Sequence, residues 1–371
     1  MALFDAIVTG LQALALIVVA VYAIETLVLV IGIQRKFPTK QWAELPLVSV
    51  VVAARNEEHN IVRCLESLVN LDYPKEKLDI IIADDYSTDR TAEIIQDYAK
   101  RFPFVRYHAV QASDIKGKGN AIHQAVLIST GEFVLMTDAD CTVQPTWAKE
   151  TIKYFTDETG LVCGITTPRS SRLFERVQEM NWMYLLSTGS AVAAIGYPIG
   201  GIGNNFSFRK QAYLDVGGYA KVRFSVTEDF ALFQAIKKTK WKIAYPALRE
   251  TQNITEPAKT VAELYKQQKR WILGGTSADW KSWITLLVGF CTHLLSALSF
   301  VMFPIKTALV MLAVKCGADA LFLLTPLIRL KMLRLAPSFP FFELYQYLLI
   351  IFVPISLLFD RKIVWKGRVY G

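Results

Sequence analysis

Leu47-Val48-Ser49-Val50-Val51-Val52-Ala53-Ala54 is a nearly unbroken apolar run, closed by Arg55-Asn56-Glu57-Glu58. Its length and its β-branched residues read as a strand buried on both faces, the kind found in parallel sheets. The same rhythm continues on its C-terminal side. Asn60 to Val69 reads as a helix, Leu78 to Ala83 as a second strand, Thr91 to Arg101 as a helix and Val105 to Val110 as a third strand. Ala121 to Ser129 is then expected as a helix and Phe133 to Met136 as a fourth strand. Strand and helix alternating in this way imply a doubly wound α/β sheet. In such sheets ligands bind beyond the carboxyl ends of the strands. The second strand runs into Asp84-Asp85 and the fourth into Thr137-Asp138-Ala139-Asp140, so acids are expected at two strand ends.

Both flanks of this region are apolar. The chain has 371 residues and is 53% hydrophobic, with a mean hydropathy of +0.30, which is too apolar for an ordinary soluble enzyme. Ala6 to Ile33 is interrupted only by Gln12 and Glu25 and exceeds the roughly 20 residues a membrane helix needs. A cleaved signal peptide is not expected, since the basic n-region is missing and the run exceeds about 7–15 residues. Arg35, Lys36 and Lys40 follow at once. The positive-inside rule then puts the N-terminus outside and the next domain in the cytoplasm, at the inner membrane if the source is bacterial. The net charge of +8 gathers at membrane flanks without interleaved aromatics, a pattern that does not point to nucleic acid. Five scattered cysteines and four scattered histidines show no disulfide or zinc spacing and fit a reducing compartment.

Three apolar segments are expected near the C-terminus: Trp283 to Phe303, Ile305 to Ile328 and Phe339 to Phe359. Lys315 and Asp319 lie in the second; each would cost about 2.5–3.5 kcal/mol at mid-membrane, and four-residue spacing lets them pair on one helix face. The basic flanks conflict. Arg329, Lys331 and Arg334 call for the cytoplasmic side, and so do Arg361, Lys362, Lys366 and Arg368. One full span cannot separate them, so a cytoplasmic tail and one incomplete span are expected. The divisions are 1–36 for the first membrane helix, 37–280 for a cytoplasmic catalytic domain and 281–371 for the membrane segments and basic tail.

Several short motifs carry chemistry. Asp138 and Asp140 offer two carboxylates two residues apart. Mg²⁺ is held by one or two carboxylates plus substrate phosphates, and a leaving nucleotide diphosphate needs such a metal; a solvated turn is the plain alternative. Asp84-Asp85-Tyr86-Ser87-Thr88-Asp89 contains a helix N-cap at Ser87 or Thr88. The cap leaves two further acids unexplained, and Asp85 is the better placed to accept from a base or ribose. Lys116-Gly117-Lys118-Gly119 reads as a flexible basic loop suited to phosphate or base contacts, or as a solvated turn. Thr227-Glu228-Asp229 precedes an apolar helix; Thr227 reads as a cap there, or the motif as a general base for an acceptor hydroxyl. Arg172 to Ala194 and Val261 to Trp271 read as helices, and Gly200 to Asn205 as a flexible loop. In Gln267-Gln268-Lys269-Arg270-Trp271 a helix puts Gln267, Arg270 and Trp271 on one face, where polar chain meets apolar chain. An interfacial anchor would explain Arg270 and Trp271 but has no need of Gln267.

The order Asp-Asp, Asp-x-Asp, Thr-Glu-Asp, Gln-x-x-Arg-Trp, followed by apolar segments, resembles the membrane-integrated family 2 glycosyltransferases. That group includes cellulose, chitin and hyaluronan synthases and the ceramide glucosyltransferase-like enzymes. The resemblance spans Leu47 to Trp271, and Val364 to Tyr370 is similar to the Trp-x-x-Arg-type ending of the ceramide glucosyltransferase-like members. Tyr86 departs from it, standing where a small residue, commonly Gly, follows the Asp pair. The resemblance implies a GT-A-type nucleotide-sugar-binding domain, a UDP-sugar donor, and Mg²⁺ or Mn²⁺ as cofactor. By it, Asp85 would contact uridine with Arg55 and Glu57 nearby, Asp138 the nucleotide sugar, and Asp140 the metal; Lys118, from the basic loop, is expected at the nucleotide sugar as well. Asp229 would be the catalytic base. Gln267, Arg270 and Trp271 would bind diphosphate and frame the acceptor, with Gly201 to Asn205 on the acceptor side. The acceptor is either a lipid or a growing glycan that is then secreted; three apolar segments, few for a glycan channel, favour the lipid. Loss of a central acid would have indicated a non-catalytic nucleotide-sugar-binding protein, and none is missing.

Overall fold

The computed structural model describes residues 2–275, 280–357, 359, 363–365 and 368–370. A helix, α1 (Ala2–Gln34), leads into the α/β half. There β1 (Val48–Ala54), α2 (Ile61–Val69), β2 (Leu78–Asp84), α3 (Thr91–Arg101), β3 (Val105–Ala109), α4 (Lys118–Ile128) and β4 (Phe133–Asp138) follow the expected alternation. Then come β5 (Thr142–Val143), α5 (Trp147–Ile152), β6 (Thr159–Cys163), β7 (Thr166–Pro168), α6 (Leu173–Ala194), β8 (Phe206–Arg209), α7 (Lys210–Asp215) and α8 (Gly218–Lys221). The half closes with α9 (Glu228–Lys237), β9 (Lys242–Ala244), β10 (Asn253–Thr255) and α10 (Val261–Gly274).

Seven strands form one mixed sheet in the order β3-β2-β1-β4-β8-β6-β9. β1 pairs in parallel with β2 on one side and β4 on the other, which makes the gap between β1 and β4 a topological switch point. Alternate strand residues enter two separate cores, Val48, Val50 and Val52 on one face and Val51, Ile81 and Val134 on the other. Burial of both faces is why β1 is apolar throughout. The register aligns Ala54 with Asp84 and Ala53 with Asp138. Both acidic motifs therefore leave the sheet at one level, as their strand-end positions required.

Two local expectations are corrected. Lys116 to Gly119 is not a flexible loop: Gly117, at φ 68°, caps α4, and Lys118 begins that helix. The glycine takes the left-handed backbone that other residues avoid. Gly200 to Asn205 is likewise pinned. Gly203–Asn205 forms a 3₁₀ turn. The buried Asn205 side chain donates to Ile165 O (2.9 Å) and Thr251 O (2.8 Å) and accepts from Trp147 Nε1 (3.0 Å).

The C-terminal half holds α11 (Trp280–Met302), α12 (Ile305–Arg329), α13 (Phe339–Tyr347) and α14 (Val353–Ser356). Among the described residues four helical stretches are long and apolar enough to cross a membrane: Ala6–Gln34, Trp283–Met302, Ile305–Arg329 and Leu333–Ser356. The last is irregular, with a 3₁₀ turn at Leu333–Ser338 and a π-helical stretch at Leu348–Phe352 between α13 and α14. Pro354 contributes, because it has no N–H to give to the preceding turn. Both ends of this stretch meet helices of the α/β half. Arg334 pairs with Glu179 of α6 (2.6 Å), and Ser356 accepts from Tyr265 of α10 (2.9 Å).

Lys315 and Asp319 pair as the spacing required, at 3.0 Å. Their setting is larger than expected. Glu343 of α13 also binds Lys315, and Asp319 accepts from Tyr22 of α1 (2.6 Å) and Tyr184 of α6 (3.1 Å). Arg329 donates to the last carbonyls of α1, at Ile33 and Gln34. Two short strands, β11 (Ile363–Trp365) and β12 (Arg368–Tyr370), form a hairpin at the tail. The expected inward placement of Arg361, Lys362 and Lys366 falls outside the described residues.

Candidate active site

The loops after β1 and β2 are laced together at the carboxyl edge of the sheet. Asn56 N–H donates to Ser87 Oγ (3.0 Å), Thr88 N–H to Asn56 Oδ1 (2.8 Å) and Glu57 N–H to Thr91 Oγ1 (2.8 Å). Asp89, rather than Ser87 or Thr88, serves the start of α3: its carboxylate accepts from Thr91 N–H (3.0 Å) and Glu58 N–H (3.2 Å). The Asp pair divides into two roles. Asp84 is tied into the loop by Ser87 N–H (3.2 Å) and into the sheet by Tyr107 Oη (3.3 Å). Asp85 is 6% exposed and faces Arg55, whose Nη1 lies 3.4 Å from Asp85 O and 3.9 Å from Oδ2. Tyr86 holds φ 60° and is half exposed. A left-handed backbone costs a non-glycine residue roughly 1–2 kcal/mol, so Gly would fit this position more easily.

At the next strand end, Lys118 binds Asp138 and lies 3.3 Å from Glu228. Burial alone would lower the lysine's pKa, but Asp138 and Glu228 outweigh it and hold the ammonium above its ordinary value. The helix start that overturned the loop reading is what aims Lys118 here. Asp140 follows two residues later, with Cys141 Sγ 3.5 Å from its Oδ1. Cys64 and Cys141 are buried behind the pair. Burial, then Asp140 and Asp138, push both thiols up, which keeps them protonated and poor metal ligands. Among the described residues no group of three or more His, Cys, Asp or Glu forms a metal cage. Two carboxylates still suffice for a divalent ion that draws its other ligands from phosphates and water, so Asp138 and Asp140 fit one.

Asp229 stands on the first turn of α9. Its Oδ2 accepts from Gly203 N–H (2.5 Å) and its Oδ1 from Phe230 N–H (2.8 Å). Burial first, then the neighbouring Glu228, push the carboxyl up to about 6, against Lys118 and the two N–H groups. That value suits a group that takes a proton near neutral pH. Thr227 is the N-cap residue, but its side chain makes no capping bond; its hydroxyl lies 3.2 Å from Ser225 Oγ.

One small pocket lies beside these groups, although Asp138, Asp140 and Asp229 do not line it. Lys116, Gly117, Lys118, Gly119, Phe224, Ser225, Val226, Glu228 and Arg270 line it. Arg270 comes from α10, so the pocket brings that helix against the lysine helix and the Thr-Glu-Asp segment. Trp271 does not line it; its ring packs edge-on to Trp182 of α6 at 4.9 Å. Gln267 does not line it either, and its Oε1 is buried without a hydrogen-bond partner. Asp85, Arg55 and Glu57 lie at the neighbouring strand ends. Sequence reasoning missed Gly274; it named Gly203 only within the acceptor-side loop and Glu228 only within the Thr-Glu-Asp motif, without its contact to Lys118. A Cβ on Gly274 would come 2.1 Å from Thr227 Oγ1, so α10 ends directly against the Thr-Glu-Asp segment. The glycine run at 200–203 carried a signal for Gly203, but flexibility was the wrong inference from it.

The family model "Glycosyl transferase family 2" matches residues 49–230, from β1 to the start of α9. A beta-monoglucosyldiacylglycerol synthase of Nostoc sp. is 28% identical over 278 residues, 72% of this chain and 57% of that protein. A poly-beta-1,6-N-acetyl-D-glucosamine synthase of Staphylococcus epidermidis is 28% identical over 232 residues, 62% of this chain and 54% of that protein. The chain thus spans about half the length of the curated relatives it matches. Among solved structures, the mannosyltransferase PcManGT from Pyrobaculum calidifontis, in complex with GDP-Man and Mn²⁺, superposes with a TM-score of 0.62 at 18% identity. It covers 96% of this chain and 99% of that one, which shows a shared GT-A fold. With the carboxylates at the strand ends and the family match, residues 49–230 form a family 2 glycosyltransferase domain.

Proposed function

We propose that the protein is a membrane-bound inverting glycosyltransferase that moves a hexose from a UDP-sugar to a hydroxyl of a lipid. The observation that carries this reading is the Asp229 carboxylate, fixed by two N–H groups and raised to about 6, beside a pocket that holds Lys118 and Arg270. In the step, Asp229 takes the acceptor's hydroxyl proton as the oxygen attacks the anomeric carbon. The bond from that carbon to the diphosphate breaks, and its electron pair leaves with the diphosphate. Arg270 and Lys118 offset the charge that develops there. Asp85, with Arg55 and Glu57 near it, serves the nucleoside. Gln267 and Trp271 frame the diphosphate and acceptor side from α10. Asp140 with Asp138 would hold Mg²⁺ or Mn²⁺, which when bound neutralises charge on the departing diphosphate.

Apolar helices of membrane length and the glucosyldiacylglycerol synthase among the relatives support the lipid acceptor. The poly-N-acetylglucosamine synthases among the relatives favour a second reading, extension of a glycan. In the membrane, α1 crosses with its N-terminus outside, and α11 and α12 form a crossing hairpin. Arg329 on the last carbonyls of α1 supports one cytoplasmic level for the basic residues after α1, Arg35, Lys36 and Lys40, and for those after α12, Arg329, Lys331 and Arg334. The stretch Leu333–Ser356 is then the incomplete span, since both of its ends return to the α/β half.

Asp229→Asn tests the base. Turnover on a lipid acceptor is expected to fall by about 10²–10⁴-fold; Asn keeps one of the two accepted N–H bonds and removes a charge that burial disfavours, so the variant is expected to fold, which its Tm checks. Near-normal turnover in the folded variant would rule Asp229 out.

A further inference from the structure

The pocket has a volume of about 20 Å³, room for little more than one water molecule. Two of the walls are helical: the first turn of α4 and the last turns of α10. The third, from Phe224 to Val226, lies in the stretch between α8 and α9, which has no helix or strand. Its polar side chains hold chiefly to each other, through Ser225 and Thr227. This wall is also the apolar one. Phe224 is 47% exposed although it shares the pocket with Lys116, Lys118, Glu228 and Arg270.

We propose that Phe224, with Val226, is the acceptor-recognition surface, taking up the hydrocarbon that adjoins the attacking hydroxyl of an amphiphilic acceptor. The inference rests on the lipid-acceptor reading above. In the reading above the nucleoside goes to Asp85 and the diphosphate to Lys118 and Arg270, which leaves the half-exposed phenyl ring of Phe224 to the acceptor. An acceptor that carries its hydroxyl on a hydrocarbon body has use for both the base and the ring. Phe224 precedes Asp229 by only five residues, so the ring and the base belong to one short stretch of chain. Burial of exposed apolar surface against the ligand then contributes to binding of the acceptor but not of the donor.

The test uses the full chain in lipid nanodiscs with UDP-glucose as donor and diacylglycerol as acceptor. Phe224→Ser is expected to raise the acceptor KM about tenfold while the donor KM moves by less than about threefold. Phe224→Leu is expected to restore most of the acceptor KM, because it restores apolar surface without the ring. Parallel rises in both KM values, or no rise in either, would overturn the proposal. A wild-type protein that glycosylates no lipid, with any UDP-hexose, would instead sink the lipid-acceptor reading before the variants are compared.

Discussion

Two neighbours pull the Asp229 carboxyl in opposite directions: Glu228 raises it and Lys118 lowers it, on top of the upward push from burial. The base form is the deprotonated one, so activity is present above about 6 and is lost as pH falls through it. The acid limb of kcat/KM is therefore expected near pH 6. Glu228→Gln removes the raising charge and should move the limb to lower pH. Lys118→Met removes the lowering charge and should move it to higher pH, apart from any loss of rate. A limb that stays in place in both variants would assign it to another group. The positions of Asp138, Asp140 and Asp229 were legible in the sequence because they are local, an acid at the end of a strand or the start of a helix. The role of Glu228 was not. It depends on Lys118, which reaches that carboxylate from a different strand–helix unit, and no spacing along the chain encodes that contact.

Helix α10 was legible as an element, but what holds it in place was not. Gly274 has no side chain, and Thr227 occupies the space a Cβ would need; Trp271 holds the same helix to Trp182. Gly274→Ala is a sharp test of this coupling. In a free helix the change would stabilise by about 1 kcal/mol. Here it pushes α10 away from the Thr-Glu-Asp segment and takes Arg270 with it. A displacement of about 1 Å at reacting groups can cost about 10²-fold in rate. The expected result is a fall in kcat of that order with a small change in donor KM. An unchanged kcat would show that the helix can move without carrying Arg270 out of place. The corrections at Lys116 to Gly119 and Gly200 to Asn205 have a related cause. Glycine runs were read as flexible, whereas one glycine caps a helix and the other lets a backbone N–H approach the Asp229 carboxylate.

At the scale of the whole molecule, a buried polar cluster joins the apolar helices to the α/β half. Lys315 of α12, Asp319 of α12 and Glu343 of α13 meet Tyr22 of α1 and Tyr184 of α6. Lys315 is fully buried. Lys315→Met leaves two carboxylates without their counter-charge, and loss of one partner of a buried pair costs about 3–5 kcal/mol. Its Tm in detergent should fall well below that of Tyr22→Phe, which removes one hydrogen-bonding hydroxyl worth about 1 kcal/mol. Equal Tm values would mean that the cluster does not hold the halves together. The sequence revealed the Lys315–Asp319 pair, because four-residue helical spacing is local. It could not reveal Glu343, Tyr22 or Tyr184, which only tertiary packing brings to that level. It did expose the conflict between the two basic flanks; the stretch Leu333–Ser356, which the proposed topology takes as the incomplete span, is anchored at both ends to the α/β half. The central claim, a single sugar transfer to a lipid hydroxyl with Asp229 as base, is tested most directly by product mass spectrometry. The full chain in nanodiscs would be given diacylglycerol and each of a panel of UDP-hexoses, beside its Asp229→Asn variant. The account expects diacylglycerol carrying one hexose from the wild type and none from the variant; a ladder of glycan chains, or the same lipid product from both proteins, would contradict it.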